Sequence, residues 1–280
     1  HSVRVLNCDG DALWSDIIAG IDWVTRNAQR PAIVNMSLGG EANKAVDDAI
    51  RRATAANIPF IVSAGNDGDN ACLYSPSRVY SALTVGASAR RDAVADYSNN
   101  GACVDLFAPG TDIPSLSVFV PSATLTSSGT SAAAPHVAGA AALYLERHPQ
   151  ASRKSVINAV VGSATFGRLT GLGRTSPNQI LNVQGSTRGR TALFRYSHPA
   201  TTNHFYTLDW NELGAGREGF RYDGVIGYIA KATRPDTTPL YRYFNTATKR
   251  YRWTINFGNP SSGPWVYQGI AGHVPTVARG

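Results

Sequence analysis

The sequence predicts an α/β protein, a parallel sheet with helices on both faces, followed by a small all-β repeat domain. Three observations predict it. Short, near-continuously apolar runs alternate with segments of helical period through the first two-thirds of the chain. Parallel strands covered on both faces have that pattern, and strand–helix–strand order makes a parallel crossover. Gly, Ala and Ser are plentiful over the same stretch, which suits close packing of helix on sheet. After Thr191 the composition changes: Tyr, Phe and Trp become dense and helical periodicity fades.

The elements follow in order. Ser15 is placed to cap a helix running to about Ala28, with Ile17, Ile21 and Val24 at helical spacing. Ala32–Leu38 has strand length and ends at Gly39-Gly40. Glu41 to Ala56 returns to helical period, with Ala42, Ala45, Val46, Ala49, Ile50 and Ala53 inward. Ile58–Ser63 is a second buried strand, ended by Ala64-Gly65-Asn66. Leu83–Ala87 and Val104–Phe107 are the third and fourth, and Ser131–Arg147 is a long Ala-rich helix. Ile180–Val183 closes this part and Gly185–Gly189 reads as a linker, so the predicted domains are residues 1–187 and 188–280.

The second domain repeats itself. Leu193-Phe194-Arg195-Tyr196 returns 47 residues later as Leu240-Tyr241-Arg242-Tyr243, and Tyr206-Thr207 returns at the same offset as Trp253-Thr254. Tyr222-Asp223-Gly224-Val225-Ile226-Gly227 returns 45 residues later as Tyr267-Gln268-Gly269-Ile270-Ala271-Gly272, so a loop is shorter by two residues. Each unit is expected to form a few short strands. Two units make a thin core, and closed repeat architectures need three or more.

Composition excludes several function classes. The hydrophobic content of 43% and the charged content of 16% are those of a folded globular protein. The net charge of +7 comes from scattered Arg and Lys rather than a basic stripe, so no nucleic-acid partner is expected. No apolar run has membrane-spanning length. Three cysteines are an odd number, as when a partner thiol lies elsewhere or one thiol stays free.

Ser128-Gly129-Thr130-Ser131 opens the Ala-rich helix. A serine there sits where first-turn N–H groups and the positive end of the helix dipole converge, an environment able to hold an oxyanion. The plainer reading is that Thr130 or Ser131 caps a buried helix. Asn66 follows the end of a buried strand, where α/β sheets place ligands, and its amide could donate to an oxyanion; the plainer reading is a Gly-Asn turn.

Gly129-Thr130-Ser131, then small residues and Pro135-His136-Val137-Ala138-Gly139, resemble the nucleophile motif of the subtilisin superfamily. The resemblance runs from about Val3 to Val183 and is closest to the proteinase K and aqualysin branch. Val5-Leu6-Asn7-Cys8, Ile18 to Val24, Tyr74-Ser75-Pro76 and Cys103 to Gly110 support it. It implies a subtilisin-like fold and serine endopeptidase chemistry, with Ser131 as nucleophile and Asn66 as oxyanion donor. It makes Ser37-Leu38-Gly39 the edge that pairs with an extended polypeptide substrate, and with Ser63-Ala64-Gly65 the lining of a shallow apolar pocket. Ala132 stands where the family usually carries Met. The family's Asp and His motifs precede the matching region, none of the six histidines stands in such a motif, and an incomplete triad is expected in this N-terminally truncated chain.

The resemblance further implies a Cys72–Cys103 disulfide, an upstream partner for Cys8, and a secreted, monomeric protein. It implies a structural Ca2+ held by Asp105 with backbone carbonyls of Tyr80 and Ala82, and no catalytic cofactor. The repeats resemble aromatic-rich modules of unknown function on secreted bacterial proteins. Arg195, Tyr196, His204, Tyr206 and their second-unit counterparts are either a face for a glycan or cell-surface ligand or the core of a small β fold. The rival functional reading is an inactive protease-like scaffold whose repeats bind.

Overall fold

The computed structural model describes residues 1–117, 120, 123–173, 175–183, 190–200, 203–214, 216, 219–230, 237–248, 250–254 and 263–275. The first part is an α/β fold built on a mostly parallel sheet. Strands β1 (Val34–Met36), β2 (Phe60–Ser63), β3 (Leu83–Ala89) and β4 (Leu106–Pro109) pair in parallel. Then come β5 (Thr165–Phe166) and β6 (Gln179–Ile180), giving the order β1-β2-β3-β4-β6-β5 with the last pair antiparallel.

Strand β2 explains its unbroken apolar run. Phe60 and Val62 join a cluster with Ile17 and Ile21 of helix α1 (Trp14–Asn27) and Val46, Ile50 and Ala53 of α2 (Lys44–Ala55). Ile61 between them joins Ala133, Val137 and Ala141 of α3 (Thr130–Arg147) and Val156 to Val161 of α4 (Arg153–Ser163). Successive side chains of a strand point to opposite faces, so both faces are buried and polar residues have no place.

Some expected boundaries move. Helix α1 begins at Trp14 rather than after Ser15, and its N-cap residue, Leu13, makes no side-chain cap. Helix α2 starts three residues late. Asn43 caps it by accepting the Ala45 and Val46 N–H groups, and Glu41 pairs instead as a strand with Tyr74. Asparagine stabilises a helix start by supplying an acceptor to these orphan donors. Helix α4 and the hairpin Ile113–Leu116 with Thr124–Ser127 have no counterpart among the expected elements. The apolar face of α4 rests mostly on Val and Ile, whose β-branching weakens the helical signal.

The C-terminal part is one antiparallel sheet. Its strands are β7 (Arg190–His198), β8 (Asn203–Thr207), β9 (Arg221–Ala230), β10 (Thr237–Asn245), β11 (Arg250–Thr254) and β12 (Trp265–Pro275). The order β8-β7-β9-β12-β10-β11 sets two three-stranded units edge to edge. The repeat is exact in register: Arg195 faces Tyr206, and Arg242 faces Trp253. Bulges after Leu193 and Arg195 recur after Leu240 and Arg242. The expected linker Gly185–Gly189 lies outside the described residues.

Phe194, Tyr196, Phe205, Trp210 and Tyr222 share one cluster with Val156, Ile157 and Val160 of α4, so the repeat sheet and the parallel sheet bury a common core. Each side chain of this size contributes about 1.5–3 kcal/mol when fully buried. Tyr196 is therefore not on a ligand face. It is completely buried, on the side of β7 opposite Arg195. No described helix is long and apolar enough to cross a membrane.

Candidate active site

The carboxyl ends of β1 and β2 and the start of α3 converge. Ser37, Leu38 and Gly39 follow β1, Ser63 ends β2 with Ala64 and Gly65 after it, and Ser131 lies in the first turn of α3. Helix α3 starts at Thr130 on Gly129, and neither Thr130 nor Ser131 caps it. The first-turn N–H groups are thereby left for other acceptors.

One of them fixes Asn66. The Thr130 N–H donates to Asn66 Oδ1 at 2.8 Å, and the Thr130 hydroxyl donates to the same atom at 2.9 Å. An atom receiving a backbone N–H must be the amide oxygen, so Asn66 Nδ2 faces the other way. The Thr130 hydroxyl in turn accepts the Gly65 N–H at 3.1 Å, which locks the loop to the helix. Gly129 has φ +151°, and a Cβ on it would lie 3.4 Å from Asn66 Nδ2 and 3.6 Å from the Ser131 nitrogen. The Asn66 amide therefore lies against the first turn of α3, with Asn66 Oδ1 3.7 Å from the same position.

Pro135 makes a second link. It lacks the N–H that would bond the Ser131 carbonyl four residues back. That carbonyl accepts the Ser37 hydroxyl instead, at 2.9 Å, and the Ser131 hydroxyl lies 3.4 Å from the Ser37 carbonyl. Among the described residues no histidine hydrogen-bonds Ser131. His136 turns its Nδ1 to the Ala132 carbonyl of its own helix, and His148 does the same with Tyr144.

Asn99 has no role in the sequence reading and organises this loop. It is fully buried. Its Oδ1 accepts the Asp67 and Asp69 N–H groups, both at 3.0 Å, and its Nδ2 donates to the Ala64 carbonyl at 3.0 Å. Gly65, at φ +105°, passes so close that a Cβ would come 2.3 Å from Asn99 Nδ2. In sequence, Ser98-Asn99-Asn100-Gly101 reads only as a turn, and Thr130 is hidden beside the serine it serves.

Cys72 and Cys103 are joined by a disulfide, and Cys8 is free and exposed. Residues 1–199 match the Subtilase family, and residues 172–275 match a domain of unknown function (DUF5648). The chain belongs to the subtilase family. Two extracellular or alkaline proteases illustrate its relatives. The extracellular serine proteinase of Thermus sp. (strain Rt41A) is 50% identical over 181 residues, covering 65% of this chain and 44% of the relative. Alkaline serine exoprotease A of Vibrio alginolyticus is 45% identical over 179 residues, 64% of this chain and 33% of the relative. This subtilase chain therefore spans less than half the length of these relatives. The crystal structure of a cold adapted subtilisin-like serine proteinase superposes with a TM-score of 0.61 at 40% identity, covering 63% of this chain and 64% of that one. The two family matches overlap over residues 172–199, in keeping with the shared core there.

Tyr80, Ala82 and Asp105 are gathered away from this cleft. They precede β3 and β4, at the amino ends of the parallel strands. Both carboxylate oxygens of Asp105 accept N–H groups, from Thr84 at 2.7 Å and from the Trp210 indole at 2.9 Å. Ca2+ takes six to eight oxygen ligands, and the one carboxylate of this group already accepts an N–H on each oxygen. Among the described residues no group of three or more His, Cys, Asp or Glu is placed to hold a metal.

Proposed function

We propose that this subtilase chain carries the nucleophile and oxyanion half of a secreted serine endopeptidase of broad specificity. Ser131 Oγ attacks the scissile carbonyl carbon while its proton passes to a histidine, and the carbonyl oxygen takes the negative charge. Asn66 Nδ2 and the Ser131 N–H donate to that oxygen. Collapse returns the proton to the departing amine and leaves an ester on Ser131, which water cleaves by the same steps in reverse. The histidine and the Asp that orients it are supplied, in this reading, from outside these 280 residues.

The observation that supports the reading is the pair of hydrogen bonds that hold Asn66 Oδ1 on Thr130, the residue before Ser131, and so turn Asn66 Nδ2 away from Thr130. The exposed Gly39 after β1 supports an extended polypeptide along that edge, between Ser37-Leu38-Gly39 and Ser63-Ala64-Gly65. The disulfide and the extracellular naming of the Thermus relative support secretion. A fluorophosphonate probe on the full-length protease is expected to label Ser131 and to leave Ser131→Ala unlabelled. Undiminished labelling of the variant would refute the assignment.

A further inference from the structure

The repeat sheet meets the parallel sheet at the place that the family resemblance gives to a metal ion. Asp105 stands just before β4, and Ser81, between Tyr80 and Ala82, just before β3. Trp210, from the turn after β8, is 2% exposed and reaches Asp105 with its indole N–H at 2.9 Å. Its ring lies edge-on to Tyr222 and Phe194, at centroid distances of 4.8 and 5.3 Å. The other Asp105 oxygen accepts the Thr84 N–H at 2.7 Å. Arg153 of α4 donates to the Ser81 carbonyl at 2.9 Å and to Asn211, the neighbour of Trp210, at 3.3 Å.

Three further hydrogen bonds tie the same spot to the repeat sheet and to α4. The Asp105 carbonyl accepts Gln179 Nε2 at 3.3 Å, and Gln179 Oε1 accepts the Tyr222 hydroxyl at 3.0 Å. The Trp210 N–H donates to Asn158 of α4 at 2.7 Å. The carboxylate, its own carbonyl and the 80–82 loop are thus held by N–H donors, one of them a guanidinium. A cation placed among them would share the Asp105 carboxylate with two N–H donors, and it would face the Arg153 charge that already holds the Ser81 carbonyl.

We propose that Trp210 and Arg153 take the part of a structural cation at this end of the sheet, making the repeat domain a built-in clamp on the subtilase fold. The Asp105 region then needs no Ca2+, and the repeat domain stabilises the fold whether or not it binds anything else.

The test compares thermal unfolding of the full chain in EDTA and in millimolar CaCl2, with Asp105→Asn and Trp210→Phe alongside. The native chain is expected to unfold at the same temperature in both. Trp210→Phe, which keeps a ring but loses the donor, is expected to unfold about 3–10 °C lower. Any Ca2+-dependent rise in the native chain that Asp105→Asn leaves intact belongs to another place and agrees with the proposal. A rise that Asp105→Asn abolishes would overturn it, and so would a Trp210→Phe chain as stable as the native one. Should Trp210→Phe not fold, calorimetric titration of the native chain with Ca2+ decides alone. Binding heat lost in Asp105→Asn overturns the proposal, and heat unchanged by that substitution, or none, supports it.

Discussion

Asn66 shows how a single residue acquires its direction. Its side chain could present oxygen or nitrogen to the cleft, and the Thr130 N–H and hydroxyl select the nitrogen by taking the oxygen. Asn99 sets the loop that carries it, through three hydrogen bonds made inside the protein. Truncating it would strand two N–H groups and one carbonyl. Asn99→Ala is accordingly expected to lower stability by about 2–4 kcal/mol. Under the proposed function, Asn99→Ala in the full-length protein is expected to lower kcat by up to about 100-fold with KM little changed, because an Asn66 amide acting on the transition state would lose its support. Steady-state kinetics paired with urea unfolding would check both. Ser131 and Asn66 stand out in sequence because each lies in a short contiguous motif. Asn99 does not, since its partners lie about 30 residues away in sequence.

Helix α4 is where two parts of the chain become one element-level device. Lys154 and Asn158 on its outer side bond Asp209, the residue that caps the turn bearing Trp210. Burial pushes the Asp209 carboxyl up, but the hydrogen bonds from Lys154, Asn211 and Asn158 prevail and hold it below the ordinary value of 3.8. A carboxylate depressed in the folded state stabilises the fold above its unfolded pKa. That contribution is lost as pH falls through the folded value. The native chain is therefore expected to lose thermal stability below about pH 4, and Asp209→Asn to lose less over the same span. Circular dichroism melts between pH 2 and 7 would measure the difference. The helix itself escaped the sequence pattern: its buried residues are mostly β-branched, and part of the surface that buries them comes from β7 and the Trp210 turn.

At the scale of the molecule, the two predicted domains share a core. Val156, Ile157 and Val160 of α4 share their core cluster with Phe194, Trp210 and Tyr222 of the repeat sheet as well as with α3. A chain ended at residue 187 is thus expected to expose Val156, Ile157 and Val160. It should express as insoluble protein or melt well below the full chain, as sedimentation and calorimetry would show. A soluble, equally stable truncation would contradict the shared core.

What the sequence determined by itself was local: apolar runs of strand and helix length, the contiguous serine motif, the Asn66 loop and the aromatic repeat with its offset of 47 residues. Periodicity and contiguous motifs carry that information because their residues act together within one or two turns of chain. The tertiary structure alone decided which acceptor Asn66 turns away from the cleft, that Ser37 takes over the carbonyl freed by Pro135, and that Trp210 reaches Asp105 across 105 residues of sequence. Hydrogen-bond partners at such separations leave no periodic trace. They exist only once the sheet, its helices and the repeat strands have closed on one another.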